Sequence, residues 1–211
     1  MASQYTIDIN LIIIAIFIIV IITSSFYLYE GFGLGSENVS IKSNIDGREY
    51  SVRNLHDKQY ASDMLALIRS KLVLFVKYLK TKHGRDSPRY EDIKRIVKKF
   101  SPNNISENPD SSKHTSYSVN KGEKIVLCVR QRDESNKLCD INTMMFVAIH
   151  ELAHIMTVSI GHTEEFWENM KFLLKEAISS GLNLYDYHPY HSDPVPYCGT
   201  MITDTPLKLE E

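Results

Sequence analysis

The pattern of apolar and polar positions separates an apolar N-terminal segment from a mixed remainder. Leu11 to Ile22 are twelve uninterrupted apolar residues, and residues 11–29 carry no charged side chain. At 1.5 Å per residue a helix over these nineteen residues covers roughly 30 Å, which predicts a transmembrane helix. A cleaved signal peptide is the alternative, but no Lys or Arg precedes the segment and no small-x-small site follows it.

This pattern predicts four parts of the chain, namely a short flank at 1–10, a membrane anchor at 11–29, a linker at 30–37 and one domain at 38–211. The lipid bilayer is then a partner through residues 11–29. Lys42 and Arg48 follow the anchor and no basic residue precedes it, so the positive-inside rule favours a single-pass membrane protein with a cytoplasmic domain.

The periodicity of the remainder predicts an α+β fold. Alternation around Asp46-Gly47 indicates a β-hairpin over 41–52, and a second hairpin is expected from 116–119 and 125–130 around Lys121-Gly122. Helical spacing predicts helices over 55–81 and 92–100, and the Ser/Asn/Pro-rich stretch 101–114 predicts a mobile loop. A helix that begins at Asp140 or Asn142 and a second one that Thr163 caps and that ends near Ser180 complete the pattern.

Composition is that of one globular domain of nearly neutral charge. The chain has 43% hydrophobic residues, a net charge of −2 and three cysteines. An odd number of cysteines without short paired spacing argues against a cysteine-based zinc site and a disulfide-rich fold. Reduced thiols are the simpler interpretation, with a Cys139–Cys198 or Cys128–Cys198 bridge as the alternative.

The segment His150-Glu-Leu-Ala-His154 carries the strongest chemical signal. On a helix, histidines four positions apart project from one face and can share a tetrahedral metal ion. Glu151 lies beside them, within reach of a water molecule at the metal and badly placed to be a ligand, so it is the expected general base. This arrangement predicts a Zn²⁺-dependent hydrolase that needs one more protein ligand.

His162 is the preferred third ligand, because it follows a turn at Gly161 that can return the chain toward the metal. Phe166 and Trp167 are expected to pack the next helix against the site. The alternatives are two later histidines and four acidic residues: His188, His191, Glu164, Glu165, Glu168 and Glu176. Among them, Glu168 and Glu176 remain the main competitors.

The segments His150–His154 and Gly161–Trp167, with the strand-like run Lys121–Arg130 before them, resemble the WLM metallopeptidases, relatives of the SprT-like proteases in the zincin superfamily. The resemblance covers about residues 115–200. It implies a zincin-like fold in which the run 121–130 edges the cleft and pairs with an extended protein or peptide substrate. It also implies a link to the repair of DNA–protein crosslinks.

These features predict a membrane-anchored zinc metalloprotease in which Glu151 takes a proton from the attacking water and passes it to the leaving amine. Two other classes remain open. The chain could be a membrane-bound scaffold or virion-type structural protein, or a nucleic-acid-associated factor, that keeps a zinc site without proteolysis.

Two further segments supply candidate residues. The tail contains five side chains that could donate a hydrogen bond to a developing oxyanion, namely Tyr187, Tyr190, Tyr197, His188 and His191. Packing of these rings on the core is the simpler interpretation. Residues 69–99 hold eleven Lys/Arg against three acids, a local charge of +8, which nucleic acid or anionic lipid could contact. Solvated helix faces are the simpler interpretation there.

Overall fold

The computed structural model describes residues 9–31 and 37–207, and the chain divides into two compact units, Met1–Glu37 and Asn38–Glu211. Among the described residues, the first unit contains helix α1 (Ile9–Gly31). The second contains the remaining elements, in chain order β1 (Asn38–Lys42), β2 (Glu49–Arg53), α2 (Lys58–Lys82), α3 (Tyr90–Lys99), β3 (Ile105–Glu107), β4 (Tyr117–Val119), β5 (Lys124–Leu127), α4 (Ile141–Met156), α5 (Glu164–Ser179), β6 (Val195–Tyr197) and β7 (Thr200–Ile202).

The apolar N-terminal segment is helical, but the predicted membrane anchor is wrong. Over the residues that the structure describes, no helix combines the length and the apolar content that crossing a bilayer requires. The uninterrupted apolar run, Leu11–Ile22, covers only about 18 Å of helix before Thr23, Ser24 and Ser25 follow, and a bilayer core is about 30 Å thick. The single-pass span at 11–29 and the membrane localisation are therefore corrected. Residues 1–8 of the predicted flank and 32–36 of the predicted linker lie outside the described residues.

The second unit has the predicted α+β composition, with both predicted hairpins present. Strands β1 and β2 pair antiparallel around the turn at Gly47, and β4 and β5 pair antiparallel around the turn at Lys121-Gly122. Helices α2 and α3 lie within two or three residues of the predicted boundaries.

The three-stranded sheet differs from the expectation in two respects. Its order is β3-β5-β4, so β5 is the central strand and β4 is the edge strand that borders α4. The run 121–130 is therefore not the strand that edges the cleft; Tyr117–Val119 is. The predicted loop 101–114 contains β3, which pairs parallel with β5 and buries all three of its residues. The sequence predicts a loop here because Ser106 and Glu107 are polar, whereas in the structure both are buried in β3.

Helix α4 is the centre of the core. Of its sixteen residues, twelve are buried, and it packs against α2, α3, α5 and the sheet. Apolar residues surround the helix on nearly every side, as expected of a core helix, and His150 and His154 are partly exposed. Its N-cap is Asp140, whose carboxylate accepts a hydrogen bond from the Thr143 amide at 2.9 Å. The result is a rigid platform for the side chains it points at the surface.

A buried ion cluster ties β2, β3 and α2 to the end of β5. The Arg130 guanidinium is 1% exposed and donates from Nε to Glu107 Oε1 at 2.8 Å, and from Nη1 to Asp57 Oδ1 at 2.6 Å. Glu107, itself 1% exposed, accepts a second hydrogen bond from the Arg53 amide at 2.7 Å. Each buried charge therefore has an opposite charge beside it.

One disulfide joins the sheet to the C-terminal hairpin. Cys128 follows β5, and Cys198 lies in the two-residue turn between β6 and β7, where Cys198 and Gly199 have φ of 51° and 76°. Their Cα atoms are 6.0 Å apart and the sulfur atoms are bonded. Cys139 is free and buried. The simpler interpretation of three reduced thiols is therefore wrong, and the Cys128–Cys198 alternative is the bridge that forms.

Candidate metal centre

Three histidine side chains converge where α4 ends and α5 begins. His150 and His154 extend from one face of α4, and His162 lies on the loop just before α5. The Nε2 atom of His150 is 3.2 Å from that of His154 and 3.1 Å from that of His162. One nitrogen from each ring lies within 4.8 Å of the other two. The residues proposed as ligands from the sequence are thus brought together.

The spacing of these nitrogens fits a tetrahedral metal ion. Zinc binds imidazole nitrogen at about 2.0–2.1 Å, so two tetrahedral ligand atoms are separated by roughly 3.4 Å. The distances of 3.1 and 3.2 Å are close to that edge length. Three imidazoles leave one tetrahedral position open, which is the pattern of catalytic rather than structural zinc sites.

The environment keeps two of the three imidazoles uncharged and ready to bind a cation. Burial, with a smaller contribution from the neighbouring rings, lowers the pKa of His150 to about 3. Burial and the His162 ring lower the pKa of His154 to about 4. Since a metal ion binds the neutral ring, no proton has to leave these two side chains near pH 7. The Phe166 ring stacks on His154 at a centroid distance of 4.3 Å and helps to fix its orientation.

Glu151 is buried beside the histidines with one oxygen unengaged. The side chain is 3% exposed, lines the cleft, and accepts a hydrogen bond from the Ser118 amide of β4. Its Oε2 atom has no hydrogen-bond partner among the described residues. Burial raises the pKa of Glu151 to about 8. A carboxyl group held on one oxygen and open on the other, with a pKa near neutral pH, is suited to exchange a proton. The sequence does not predict the contact with Ser118, because nearly every residue type has a backbone amide that can donate such a bond.

The buried carboxyl of Glu151 should make the metal-free protein less stable at high pH. Below about pH 4.5 the carboxyl is protonated in both the folded and the unfolded chain. Between about pH 4.5 and 8 the unfolded chain releases this proton while the folded chain keeps it, so the free energy of unfolding falls as pH rises. We expect chelator-treated Glu151→Gln to exceed wild type by on the order of 3–5 kcal/mol at pH 9, measured by urea unfolding.

The comparison with wild type isolates Glu151, since the histidines titrate in both proteins. At pH 5 the difference should have fallen to about 1 kcal/mol or less. A stability difference that is the same at pH 5 and pH 9 would contradict a raised pKa at this position.

The histidines and Glu151 lie in a cleft of about 570 Å³. One wall is residues 115–118, which include Tyr117 and Ser118 of the edge strand β4, and another wall is formed by α5 through Trp167 and Met170. The floor is α4, where Phe146 and Val147 lie about one helical turn before His150 and also line the cleft. The cleft is therefore mainly apolar around a small polar centre, as expected of a site for a peptide or small ligand.

Of the five tail residues considered as oxyanion donors, Tyr197 lines the cleft. Its hydroxyl is 2.5 Å from Ser116 Oγ, and burial raises the phenol pKa, so the proton stays on the oxygen. Tyr190 packs its ring on Phe146, and His188 packs on Tyr190 at 4.5 Å and bonds the Asp193 carbonyl at 2.8 Å. Tyr187 is half-buried and His191 is exposed, both away from the cleft lining.

The acidic alternatives for the third ligand do not join the histidine cluster. Glu176 pairs with Lys82 at 2.9 Å, and Glu165 bonds the loop before α5. Glu164 and Glu168 are exposed on α5, and neither lines the cleft.

Much of the basic segment 69–99 is engaged within the protein. Ion pairs to acidic side chains involve five of its basic residues: Arg69, Lys82, Arg89, Lys94 and Arg95. Pairing of this kind is typical of solvated helix faces. Contact of residues 69–99 with nucleic acid or anionic lipid stays a prediction.

Comparison with known proteins identifies a domain that contains the histidine cluster. The WLM domain matches residues 93–189, which include α4 and α5. Uncharacterized protein R325 of Acanthamoeba polyphaga mimivirus is 36% identical over 176 residues, covering 82% of this chain and 86% of that protein. Uncharacterized protein 136R of Invertebrate iridescent virus 6 is 38% identical over 72 residues, covering 34% of this chain and 39% of that protein.

A crystal structure of Wss1 from Saccharomyces cerevisiae is similar to 60% of this chain and 84% of its own, with 19% identity and a TM-score of 0.43. WLM- and Wss1-like metalloproteases are zinc-dependent, and the cluster of His150, His154 and His162 could hold a metal ion. Because the similarity to R325 extends over most of both proteins, the chain belongs to the same family as R325 and carries a WLM metallopeptidase-like domain.

Proposed function

We propose that the protein is a zinc-dependent peptidase that hydrolyses peptide bonds in the cleft between β4 and α5. The observation that carries the proposal is the pairing of a three-histidine cluster with a buried carboxyl group whose second oxygen is unengaged. A zinc ion held by the three imidazoles supplies a Lewis acid that polarises a carbonyl oxygen and makes water a stronger acid.

The side chains of the cleft then have distinct roles. Glu151 Oε2 accepts a proton from the attacking water and afterwards donates it to the leaving amine, while the Ser118 amide holds the other oxygen in place. Tyr197 keeps its phenolic proton and is the side chain of the tail positioned to donate a hydrogen bond to the developing oxyanion.

An extended peptide is the substrate that the cleft fits best. Strand β4 pairs with β5 on one side and borders the cleft with its other edge, where an extended segment can add as a further strand. The apolar wall of Trp167 and Met170 lines the same cleft. Peptide side chains could therefore be bound between an edge strand and an apolar helix face.

A structural zinc site in a scaffold is the competing interpretation, and Glu151 argues against it. Burying a carboxyl group with an unpaired oxygen is costly, and a purely structural site gains nothing from it. Such a group is typical of active sites, where a shifted pKa has a catalytic use.

The ligand assignment predicts that the full chain binds one zinc ion and that His162→Ala weakens zinc binding by at least about 100-fold. Removing one of three protein ligands leaves two imidazoles, which do not define a catalytic site. Zinc content after dialysis and affinity by competition with a chromophoric chelator measure this loss. Peptide cleavage should stop after chelation and return with zinc.

The exposed His191→Ala is the matched control, since it removes a histidine outside the cleft. Equal zinc affinity in His162→Ala and His191→Ala would refute the ligand set. Zinc-loaded wild type that cuts no unfolded protein or peptide would refute the peptidase function and leave the metal site standing.

A further inference from the structure

Two charged side chains outside the histidine cluster fix the loop that carries His162. Residues 157–163 connect α4 to α5, and we call this stretch the ligand loop. His162 itself is exposed, and Gly161 before it has φ of 83°. The position of the third imidazole therefore depends on what holds the loop.

Lys121 binds the carbonyl side of the ligand loop. Its Nζ donates to the carbonyl oxygens of Thr157, Val158 and Ser159 at 2.8, 2.5 and 3.1 Å. An ammonium group has three N–H donors, so these three consecutive carbonyls use all of them. Thr157 is the C-cap of α4 and the other two carbonyls follow it, so the ammonium group lies beside the negative end of the helix dipole, where a cation is favoured.

The backbone around Lys121 is shaped for this contact. Lys121 has φ of 52° and Gly122 has φ of 110° in the turn between β4 and β5. A Cβ atom on Gly122 would lie 2.8 Å from the Lys99 carbonyl oxygen and 2.9 Å from Ile155 Cδ1. Only glycine therefore lets this turn approach the ends of α3 and α4 closely enough for the Lys121 ammonium to reach the carbonyls.

Glu165 binds the amide side of the same loop. Its Oε1 accepts from the Val158 amide at 2.8 Å, and its Oε2 accepts from the Ser159 amide and hydroxyl at 3.1 and 2.7 Å. These hydrogen bonds lower the pKa of Glu165 to about 2, and the bond from the Ser159 hydroxyl has the largest effect. The group is therefore a carboxylate at neutral pH. Val158 and Ser159 are thus held through both their amides and their carbonyls.

We propose that Lys121 and Glu165 are positioning residues that fix the ligand loop so that His162 reaches the metal held by His150 and His154. The inference rests on the proposed metal site but needs no peptidase activity. The histidines of α4 are placed by a buried helix, whereas most of the ligand loop after the buried Thr157 is exposed, so the position of His162 depends on side chains that bind the loop. Partners that orient a ligand typically affect metal affinity by about 10–100-fold.

The test measures zinc affinity and the visible absorption of the cobalt-substituted full-length protein for Glu165→Gln and Lys121→Met. Each variant should bind zinc 10–100-fold more weakly than wild type, and its cobalt spectrum should lose the intensity typical of a four-coordinate site. The double variant should be little weaker than either single variant, because both contacts act on the same loop.

Glu164→Gln is the matched control, because it removes an equal charge from the same helical turn at an exposed side chain that, in the described structure, makes no hydrogen bond to the ligand loop. Thermal unfolding of the metal-free proteins separates a positioning effect from general destabilisation. Affinities and cobalt spectra of Glu165→Gln and Lys121→Met that match Glu164→Gln would overturn the inference. Proteolysis by the wild-type protein is a separate readout. Its absence would count against the proposed function, while the zinc affinities of the variants would still test the positioning role.

Discussion

Glu151→Gln is expected to retain about one zinc ion per chain and to lose about 10²–10⁴-fold in kcat/KM for peptide hydrolysis. The side chain lies next to a proposed ligand in sequence but contributes no atom to the histidine cluster. The amide keeps nearly the same shape and can still accept the hydrogen bond from Ser118. What it lacks is a basic oxygen at the position of Oε2, and general-base contributions of about 10²–10⁴-fold are typical.

Metal content of the purified variants and cleavage of an unfolded protein substrate give both readouts from one preparation. Glu168→Gln, an exposed acidic side chain on α5, is the control for a change of net charge. Activity of Glu151→Gln comparable to that of Glu168→Gln would exclude Glu151 as the base. Loss of zinc in Glu151→Gln would instead make it a ligand or a support for the ligands.

Helix α4 and its two histidines could be predicted because every signal they depend on is local. Residues 141–149 contain no Pro or Gly, Asp140 precedes them as a cap, and the spacing from His150 to His154 is one helical turn. Thr163 likewise identifies the start of α5 by accepting from the Phe166 amide. Local capping and periodicity are therefore sufficient to predict that His150 and His154, two of the three histidines of the cluster, lie on one face of a helix.

Features that depend on distant pairing could not be predicted in this way. Strand β3 is three residues long, with buried Ser106 and Glu107, and forms only because β5 lies beside it. The bridge between Cys128 and Cys198 depends on a hairpin returning to the sheet, which no cysteine spacing reveals.

The same limit applies within the site. Five tail side chains were equivalent in the sequence, and only the fold distinguishes Tyr197, which borders the cleft, from Tyr190, which packs on Phe146. Lys121 and Glu165 act on backbone atoms of the ligand loop, and a pattern of side-chain types contains no information about such contacts. Sequence alone thus indicates the chemistry of the site, and tertiary structure indicates how it is held.

The N-terminal helix illustrates a different error. The prediction of an anchor counted the uncharged residues after Ile22 as part of the span, although three hydroxyl side chains interrupt the apolar run. Absence of charge is not equivalent to apolar character, since hydroxyl groups add little hydrophobic free energy of transfer. The described helices do not meet the requirement for a membrane span.

Arg130→Met should lower the free energy of unfolding of the metal-free protein by about 3–5 kcal/mol. The substitution fills much of the same volume but leaves Glu107, which is 1% exposed, without the guanidinium that is 2.8 Å away. Asp57, at the start of α2, loses the same partner. Removing one member of a buried ion pair is costly because the remaining charge stays desolvated. Urea unfolding followed by circular dichroism measures the loss.

The exposed Arg85→Met is the control, and it should change stability by less than about 0.5 kcal/mol. Adding Glu107→Gln to Arg130→Met should recover part of the loss, because the amide is neutral and its oxygen can still accept from the Arg53 amide. If the double variant is instead as unstable as the sum of the single variants, the cost does not come from an unpaired charge. If Arg130→Met matches Arg85→Met, the buried cluster does not stabilise the junction of β2, β3 and α2.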